Sequence, residues 1–148
     1  MIAKEILDTK GRKSLFIIET ASILEVAAEL TKNKIGLLIV NNSAGDITGV
    51  ISERDIVGKV LYFKKDCAQE QVKSVMTPKE KLFVASENDN IQSIMNSMTK
   101  NKIRHVLVFN GKVFSGIISI GDIVNSMLEE KEFEIKTLND YISGKYPA

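Results

Sequence analysis

The sequence predicts an α+β fold built as a tandem repeat, and three observations carry that prediction. Gly49-Val50-Ile51-Ser52-Glu53-Arg54-Asp55-Ile56-Val57 is rewritten as Gly116-Ile117-Ile118-Ser119-Ile120-Gly121-Asp122-Ile123-Val124, so the motif Gly-apolar-apolar-Ser-x-x-Asp-Ile-Val occurs twice. Upstream, Lys32-Asn33-Lys34-Ile35 is echoed by Lys100-Asn101-Lys102-Ile103. Between these marks both copies change period in the same order, from β-branched runs to helical stripes and back. Self-similarity at a fixed spacing is the mark of a repeat architecture.

Each element has a local reason. The short apolar segments 15–18 and 82–84 read as the first strand of each copy. In the first copy Ile23, Val26, Ala27 and Leu30 fall at i, i+3, i+4 and i+7, and Ser22 with Glu25 three residues on forms a capping box. In the second, Ile91, Ile94, Met95 and Met98 make the same stripe behind Asn90, a competent N-cap. The apolar runs 35–40 and 106–109 suit buried strands. A loose loop, 41–46, follows the first run, and the Asn110-Gly111 pair after the second favours a two-residue hairpin. The chain returns as strands 47–52 and 113–119, antiparallel to their predecessors.

Helical spacing then resumes with Ile56, Val60 and Phe63 in one copy and Ile123, Val124, Met127 and Leu128 in the other. Each unit is therefore strand, helix, strand, strand, helix. The polar stretch 64–73 reads as a connector ending at Val75-Met76-Thr77-Pro78, where Thr77, Pro78 and Glu80 support a turn or a short capped helix. Past Leu128, the residues Ile135, Leu138 and Ile142 continue an apolar stripe along a charged tail, which packs either on its own domain or on a second subunit.

Composition narrows the function classes. With 148 residues and 44% hydrophobic content the chain can bury one core that both repeats share. Twenty basic against nineteen acidic side chains leave +1, no general field for nucleic acid or an acidic membrane surface. The first residues lack the pattern of a secretory signal, and no apolar run approaches the roughly 20 residues of a membrane span. The expectation is a soluble, cytoplasmic protein with neither nucleic acid nor membrane as partner. The single Cys67 forms no internal disulfide and reads as a bystander, and no metal-ligand spacing is present. One His, one Cys and no repeated acid/base or nucleophile constellation argue against an enzyme and against a catalytic cofactor.

The repeated Ser-x-x-Asp turn has two compatible readings. Ser52/Asp55 and Ser119/Asp122 are capping boxes by spacing, contributing about 1 kcal/mol each. Both copies also choose Asp and place Gly49 or Gly116 three residues before the Ser. A strand glycine admits close approach by another group, and a carboxylate can accept hydrogen bonds from two vicinal hydroxyls such as those of a ribose.

These residues resemble the cystathionine-β-synthase (CBS) domain pair, or Bateman module. The resemblance rests on the doubled Gly-x-x-Ser-x-x-Asp, on Val75-Met76-Thr77-Pro78 and on Ile103-Arg104-His105-Val106. The opening Leu7-Asp8-Thr9-Lys10-Gly11 and the closing Tyr141-Ile142-Ser143-Gly144-Lys145-Tyr146 are similar to small stand-alone CBS-pair proteins. The resemblance implies tandem CBS repeats packed as one pseudo-twofold module: repeat 1 over 1–66, a connector over 67–74, repeat 2 over 75–130 and a helical tail over 131–148. It implies a homodimer that binds an adenine nucleotide between the repeats, AMP before ATP, ADP or NAD, and signals within the dimer or to a regulated protein. The alternative is an interaction module whose ligand clefts are vestigial.

By matched position, the resemblance assigns Ser52 and Asp55 to the ribose in one cleft, with Arg54 beside them and Arg104 and His105 of the opposite unit on the phosphate. In the other cleft Ser119 and Asp122 serve the ribose and Gly121 replaces Arg54. There the matches to Arg104 and His105 are Gly36 and Leu37, so that cleft either stays empty, takes a less charged adenosyl group, or borrows a cation such as Lys10. The first cleft is accordingly expected to bind the phosphate-bearing nucleotide more tightly.

Overall fold

The computed structural model describes residues 1–144; the end of the tail expected over 131–148, with Lys145 and Tyr146, lies outside the described residues. Along the chain come α1 (Ala3–Lys10), β1 (Phe16–Ile18), α2 (Ile23–Asn33), β2 (Leu37–Asn41), β3 (Ile47–Ser52), α3 (Glu53–Ile56) and α4 (Val72–Val75). They continue with β4 (Thr77–Pro78), β5 (Val84–Ser86), α5 (Ile91–Asn101), β6 (His105–Asn110), β7 (Val113–Ser119) and α6 (Ile120–Ile142). Contacts divide the chain into two units, Lys13–Phe83 and Met1–Arg12 together with Val84–Ala148. Each contains the strand, helix, strand, strand, helix order expected from the repeat, and each also holds a segment from beyond its own repeat, α1 in one and β4 in the other.

In the first-repeat unit β1 runs parallel to β2, β2 antiparallel to β3, and β3 antiparallel to β4. The capping box at the start of α2 is present: Glu25 N donates to Ser22 Oγ at 3.2 Å and Ser22 N to the Glu25 carboxylate at 3.2 Å. The helix stops at Lys34, which is in the left-handed conformation with φ 53°. Ile23, Val26 and Leu30 of α2 face the buried Leu38, Val40 and Ile51 of the sheet. Beyond α3 the chain turns on through a π-helical segment, Val57–Leu61, which buries Val60.

The short helix expected from Thr77, Pro78 and Glu80 is present as a single 3-10 turn, Lys79–Lys81, directly after Pro78. A further short helix lies earlier, at α4, and Thr77–Pro78 between the two is an extended edge strand on β3. Helix α4 buries Val72 and Val75 in the core. Pro78, which has no N–H to give, is tolerated because it sits at a sheet edge.

In the second-repeat unit β5 is parallel to β6 and β6 antiparallel to β7. Asn110 pairs with Val113, so the two-residue turn is Gly111-Lys112, one residue later than expected, with Gly111 at φ 62°. A glycine at the first central position is what a II′ hairpin turn needs. Asn90 caps α5 through Gln92 N at 2.8 Å, and Lys102 ends it in the left-handed conformation, as Lys34 does for α2.

Helix α1 belongs to this second-repeat unit. Ala3, Ile6 and Leu7 are buried in its core beside Ile91, Val108 and Ile118. Ala3 N donates to Asp89 O at 3.0 Å and Lys4 N to Glu87 O at 2.9 Å. Arg12 bridges Asp8 at 2.7 Å and Glu87 at 2.6 Å. A hydrogen bond from Ser115 and then one from Arg12 hold the Glu87 carboxyl below its ordinary range. At the far end α6 spans 23 residues, and Phe133, Ile135, Leu138, Tyr141 and Ile142 of its distal part are exposed. No helix among the described residues is long and apolar enough to cross a membrane.

The glycines that open the two motifs are landing sites for these outside segments. A Cβ on Gly49 would run into the Thr77 carbonyl oxygen and lie 3.2 Å from Pro78 Cα, so β4 could not pair there. At Gly116 φ is +156° and a Cβ would stand 2.9 Å from Leu7 Cδ2 of α1. Chain packing, rather than a ligand, accounts for both. Gly58, by contrast, has nothing within 4 Å of its Cβ position. Urea unfolding at constant m should therefore show Gly49→Ala destabilised by about 1–3 kcal/mol, since a backbone obstacle cannot swing aside. Gly58→Ala should gain up to about 1 kcal/mol; equal midpoints for the two variants would contradict this packing account.

Candidate functional site

The chemistry-bearing residues gather where the last strand of each sheet turns into a helix. In the first-repeat unit Ser52 closes β3 and caps α3. Asp55 N donates to Ser52 Oγ at 3.2 Å, while Asp55 Oδ2 accepts from Ser52 N at 3.0 Å and from Ser52 Oγ at 3.2 Å. Asp55 Oδ1 takes Lys59 Nζ at 3.0 Å and Thr77 Oγ1 at 3.4 Å. Both carboxylate oxygens are thus engaged, and the side chain is only 11% exposed. Lys59 also donates to Val75 O at 3.1 Å, which ties the turn to α4.

The second-repeat unit repeats the turn with different surroundings. Asp122 N donates to Ser119 Oγ at 3.1 Å, and Asp122 Oδ2 accepts from Ser119 N at 2.8 Å. The same oxygen accepts from Lys10 Nζ at 2.7 Å, and Lys10 donates as well to Ile117 O at 2.7 Å. No partner reaches Asp122 Oδ1 among the described residues, and the side chain is 23% exposed. Burial pushes the Asp122 carboxyl up, but the hydrogen bonds from Lys10 and Ser119 together outweigh it and hold the group below its ordinary range. The turn at the start of α6 therefore presents an ionised carboxylate with an acceptor to spare beside the positive end of a helix.

Register shows what stands next to each turn. His105 pairs with Ser119, and Arg104 O accepts Ile120 N at 2.9 Å. In the other unit Leu37 pairs with Ser52, and Gly36 O accepts Glu53 N at 3.0 Å. Gly36 and Leu37 are thus the structural equivalents of Arg104 and His105, as the repeat alignment indicated. The second-repeat unit brings Lys10, Arg104, His105, Ser119, Gly121 and Asp122 to one strand end; the first-repeat unit holds Gly36, Ser52, Arg54 and Asp55. Gly121 and Arg54 are both exposed at their helix starts.

His105 is half-buried. Burial lowers its pKa first, and the neighbouring Arg104 and Lys10 lower it further against a smaller opposing pull from Asp122. The imidazole is consequently neutral at pH 7. Among the described residues no group of three or more His, Cys, Asp or Glu is placed to hold a metal ion.

Two site residues escaped the sequence reading. Lys59 is four residues after Asp55 on a continuous helical path, so its i,i+4 spacing was a usable signal. Thr77 offered none beyond its place in Val75-Met76-Thr77-Pro78, because its approach to Asp55 depends on β4 lying along β3.

Comparison with known proteins matches this architecture. The CBS domain family model fits residues 4–62 and again 72–129. The mitochondrial CBS domain-containing protein CBSX3 of Arabidopsis thaliana is 28% identical over 148 residues, spanning 96% of this chain and 72% of that protein. A solved CBS-domain containing protein of Agrobacterium tumefaciens is similar with a TM-score of 0.80 at 33% identity, covering 86% of this chain and 99% of its own. A CBS domain protein of Pyrobaculum aerophilum, solved in complex with AMP, is similar with a TM-score of 0.71 at 28% identity, covering 82% of this chain and 89% of its own.

The neutral state of His105 gives a measurable consequence. As the sole histidine it yields one imidazole titration by NMR, which should fall below the unperturbed value of about 6.5. Arg104→Ala should move it up. Since the folded-state pKa is the depressed one, its stabilising contribution is complete above the unfolded value and is lost as pH falls through the folded pKa. A titration at or above 6.5 would contradict the burial and charge described here.

Proposed function

The chain belongs to the CBS domain family, and from that premise we propose that it is a non-catalytic regulatory module that binds an adenine nucleotide, AMP ahead of ATP, ADP and NAD. The observation that carries this reading is the spare oxygen of Asp122, a residue held by Ser119 at the head of α6, with His105 on the adjoining strand and Arg104 just before it. A carboxylate with one oxygen committed to capping and one open can accept the vicinal hydroxyls of a ribose while the cap stays intact. Arg104 offers a donor fork suited to phosphate oxygens, and His105 adds a donor that strengthens on protonation. The Pyrobaculum aerophilum relative solved with AMP supports the same ligand class.

Ser52 and Asp55, with Arg54 and Gly36, form the second and weaker site in this reading. The Asp55 oxygens already serve Ser52, Lys59 and Thr77, which supports placing this site second, against the order expected from the sequence alone. Binding signals by favouring one of two arrangements, and differential affinity alone does the work. The recipient is a second copy of the chain or a regulated protein. A second reading, an interaction module with vestigial sites, is favoured by the exposed Ile135, Leu138 and Ile142 of α6.

Thermal unfolding with AMP, ATP, ADP or NAD separates the two readings. A ligand at 100 times its dissociation constant should stabilise the protein by about 2.7 kcal/mol. Asp122→Ala should weaken AMP binding about tenfold or more, on the scale of hydrogen bonds to a charged group, and Asp55→Ala should weaken it less. Absence of any shift with all four ligands would leave the interaction module as the function.

A further inference from the structure

The distal part of α6 is exposed on every side: from Met127 to Asn139 each residue is open to solvent. We propose that this helix pairs antiparallel with α6 of a second copy of the chain, as a two-helix coiled coil in one defined register. The pairing holds whether or not a nucleotide binds. Spacing, exposure and charge carry it.

Val124, Leu128, Lys131, Ile135, Leu138 and Ile142 follow one another at gaps of four, three, four, three and four residues. This is the period of about 3.5 residues that marks a coiled-coil seam, narrower than the stripe by which α2 faces its sheet. The five apolar members are all exposed, whereas Ile123, next in the chain to Val124, is wholly buried in its own unit. The seam and the face that packs on the unit are therefore different faces of one helix. A helical stretch as short as the exposed part of α6 is marginal in water without packing, so the seam needs a matching surface.

Charge selects the occupant and its direction. Lys131 is the single cation of the seam, and Glu132 and Glu134 border it on either side; within one copy its ammonium lies 3.4 Å from the Glu134 carboxylate. In a parallel pair Lys131 would face Lys131 of the second copy in the same layer, and like charges repel. Reversing one helix removes the conflict. In a single antiparallel register Lys131 faces Ile135 of the second copy, Leu128 faces Leu138 and Val124 faces Ile142, each pairing occurring twice. The two ammonium groups then fall in different layers, each within one helical turn of Glu134 of the other copy, while the lysine stem covers Ile135. Such a seam is complementary to itself, as a twofold interface requires. A different protein would have to reproduce this match, and a second copy already carries it.

Disulfide trapping and sedimentation equilibrium on the full chain test this. In a Cys67→Ser background, which removes the sole native thiol, Leu128→Cys and Leu138→Cys proteins are equilibrated in a glutathione buffer singly and mixed. The mixture should give a disulfide-linked dimer and neither protein alone should. A linked dimer of Leu138→Cys alone means parallel pairing and overturns the proposal, as does the absence of a linked dimer from the mixture. By sedimentation, Ile135→Asp should raise the dimer dissociation constant about tenfold or more. Thr137→Asp, on the opposite face of the helix, should leave it nearly unchanged. Both positions are exposed in the single chain, so neither substitution disturbs its core. A wild-type chain that stays monomeric, or equal effects of the two substitutions, overturns the proposal.

Discussion

The constraint on which the rest of this structure depends is the pair of glycines that open the repeated motif. Each is where a segment from outside the repeat lands on the sheet. Gly116 leaves room for Leu7 of α1, and Gly49 for the backbone of β4. A methyl group at Gly49 would push the backbone of β4 away, and one at Gly116 would force the Leu7 side chain to shift. Interiors pack at crystal-like density, so a gap of this kind is not closed by small adjustments. The same two segments bring Lys10 to Asp122 and Thr77 to Asp55. Packing at the glycine and chemistry at the carboxylate, six residues further on, are therefore one arrangement.

That arrangement explains how two copies of one turn come to differ. Both have the same cap, with Ser Oγ accepting from the Asp N–H and one Asp oxygen accepting from the Ser N–H. The difference lies in the other oxygen and in the adjoining strand. In the first copy a lysine one turn along the helix and a threonine from β4 use up the carboxylate, beside Gly36 and Leu37. In the second, the lysine comes from α1, no described residue reaches the other oxygen, and Arg104 and His105 stand alongside. Capping sets the geometry in both, and the neighbours decide whether a carboxylate has anything left to offer.

Lone Asp and Ser residues at a helix start are ordinarily explained by the backbone N–H groups they satisfy. Here the cap uses Oδ2 of Asp122, and the proposed ligand contact would use the other oxygen of the same side chain. A carboxylate offers about four lone-pair directions, and the cap needs one or two. The proton balance follows from that use: Lys10 and Ser119 keep Asp122 ionised, while burial and nearby cations keep His105 neutral. The site stays a good acceptor of hydroxyl protons across the neutral range.

The sequence by itself determined what short-range physics controls. The doubled motif, the alternation of strand and helix periods, the caps at Ser22, Asn90, Ser52 and Ser119, and the equivalence of Gly36-Leu37 with Arg104-His105 were all legible, because each depends on residues within a few positions or on register within a repeat. Helix α1 went unread although Ala3, Ile6 and Leu7 have helical spacing, since one apolar turn carries too little signal to show what it packs on. Only the tertiary structure decided that α1 packs into the core of the second-repeat unit, that Thr77–Pro78 is a strand, that Lys10 meets Asp122, and that the motif glycines serve packing. Those contacts join residues far apart in the chain, and their free energy comes from burial and charge pairing that no local window of sequence contains.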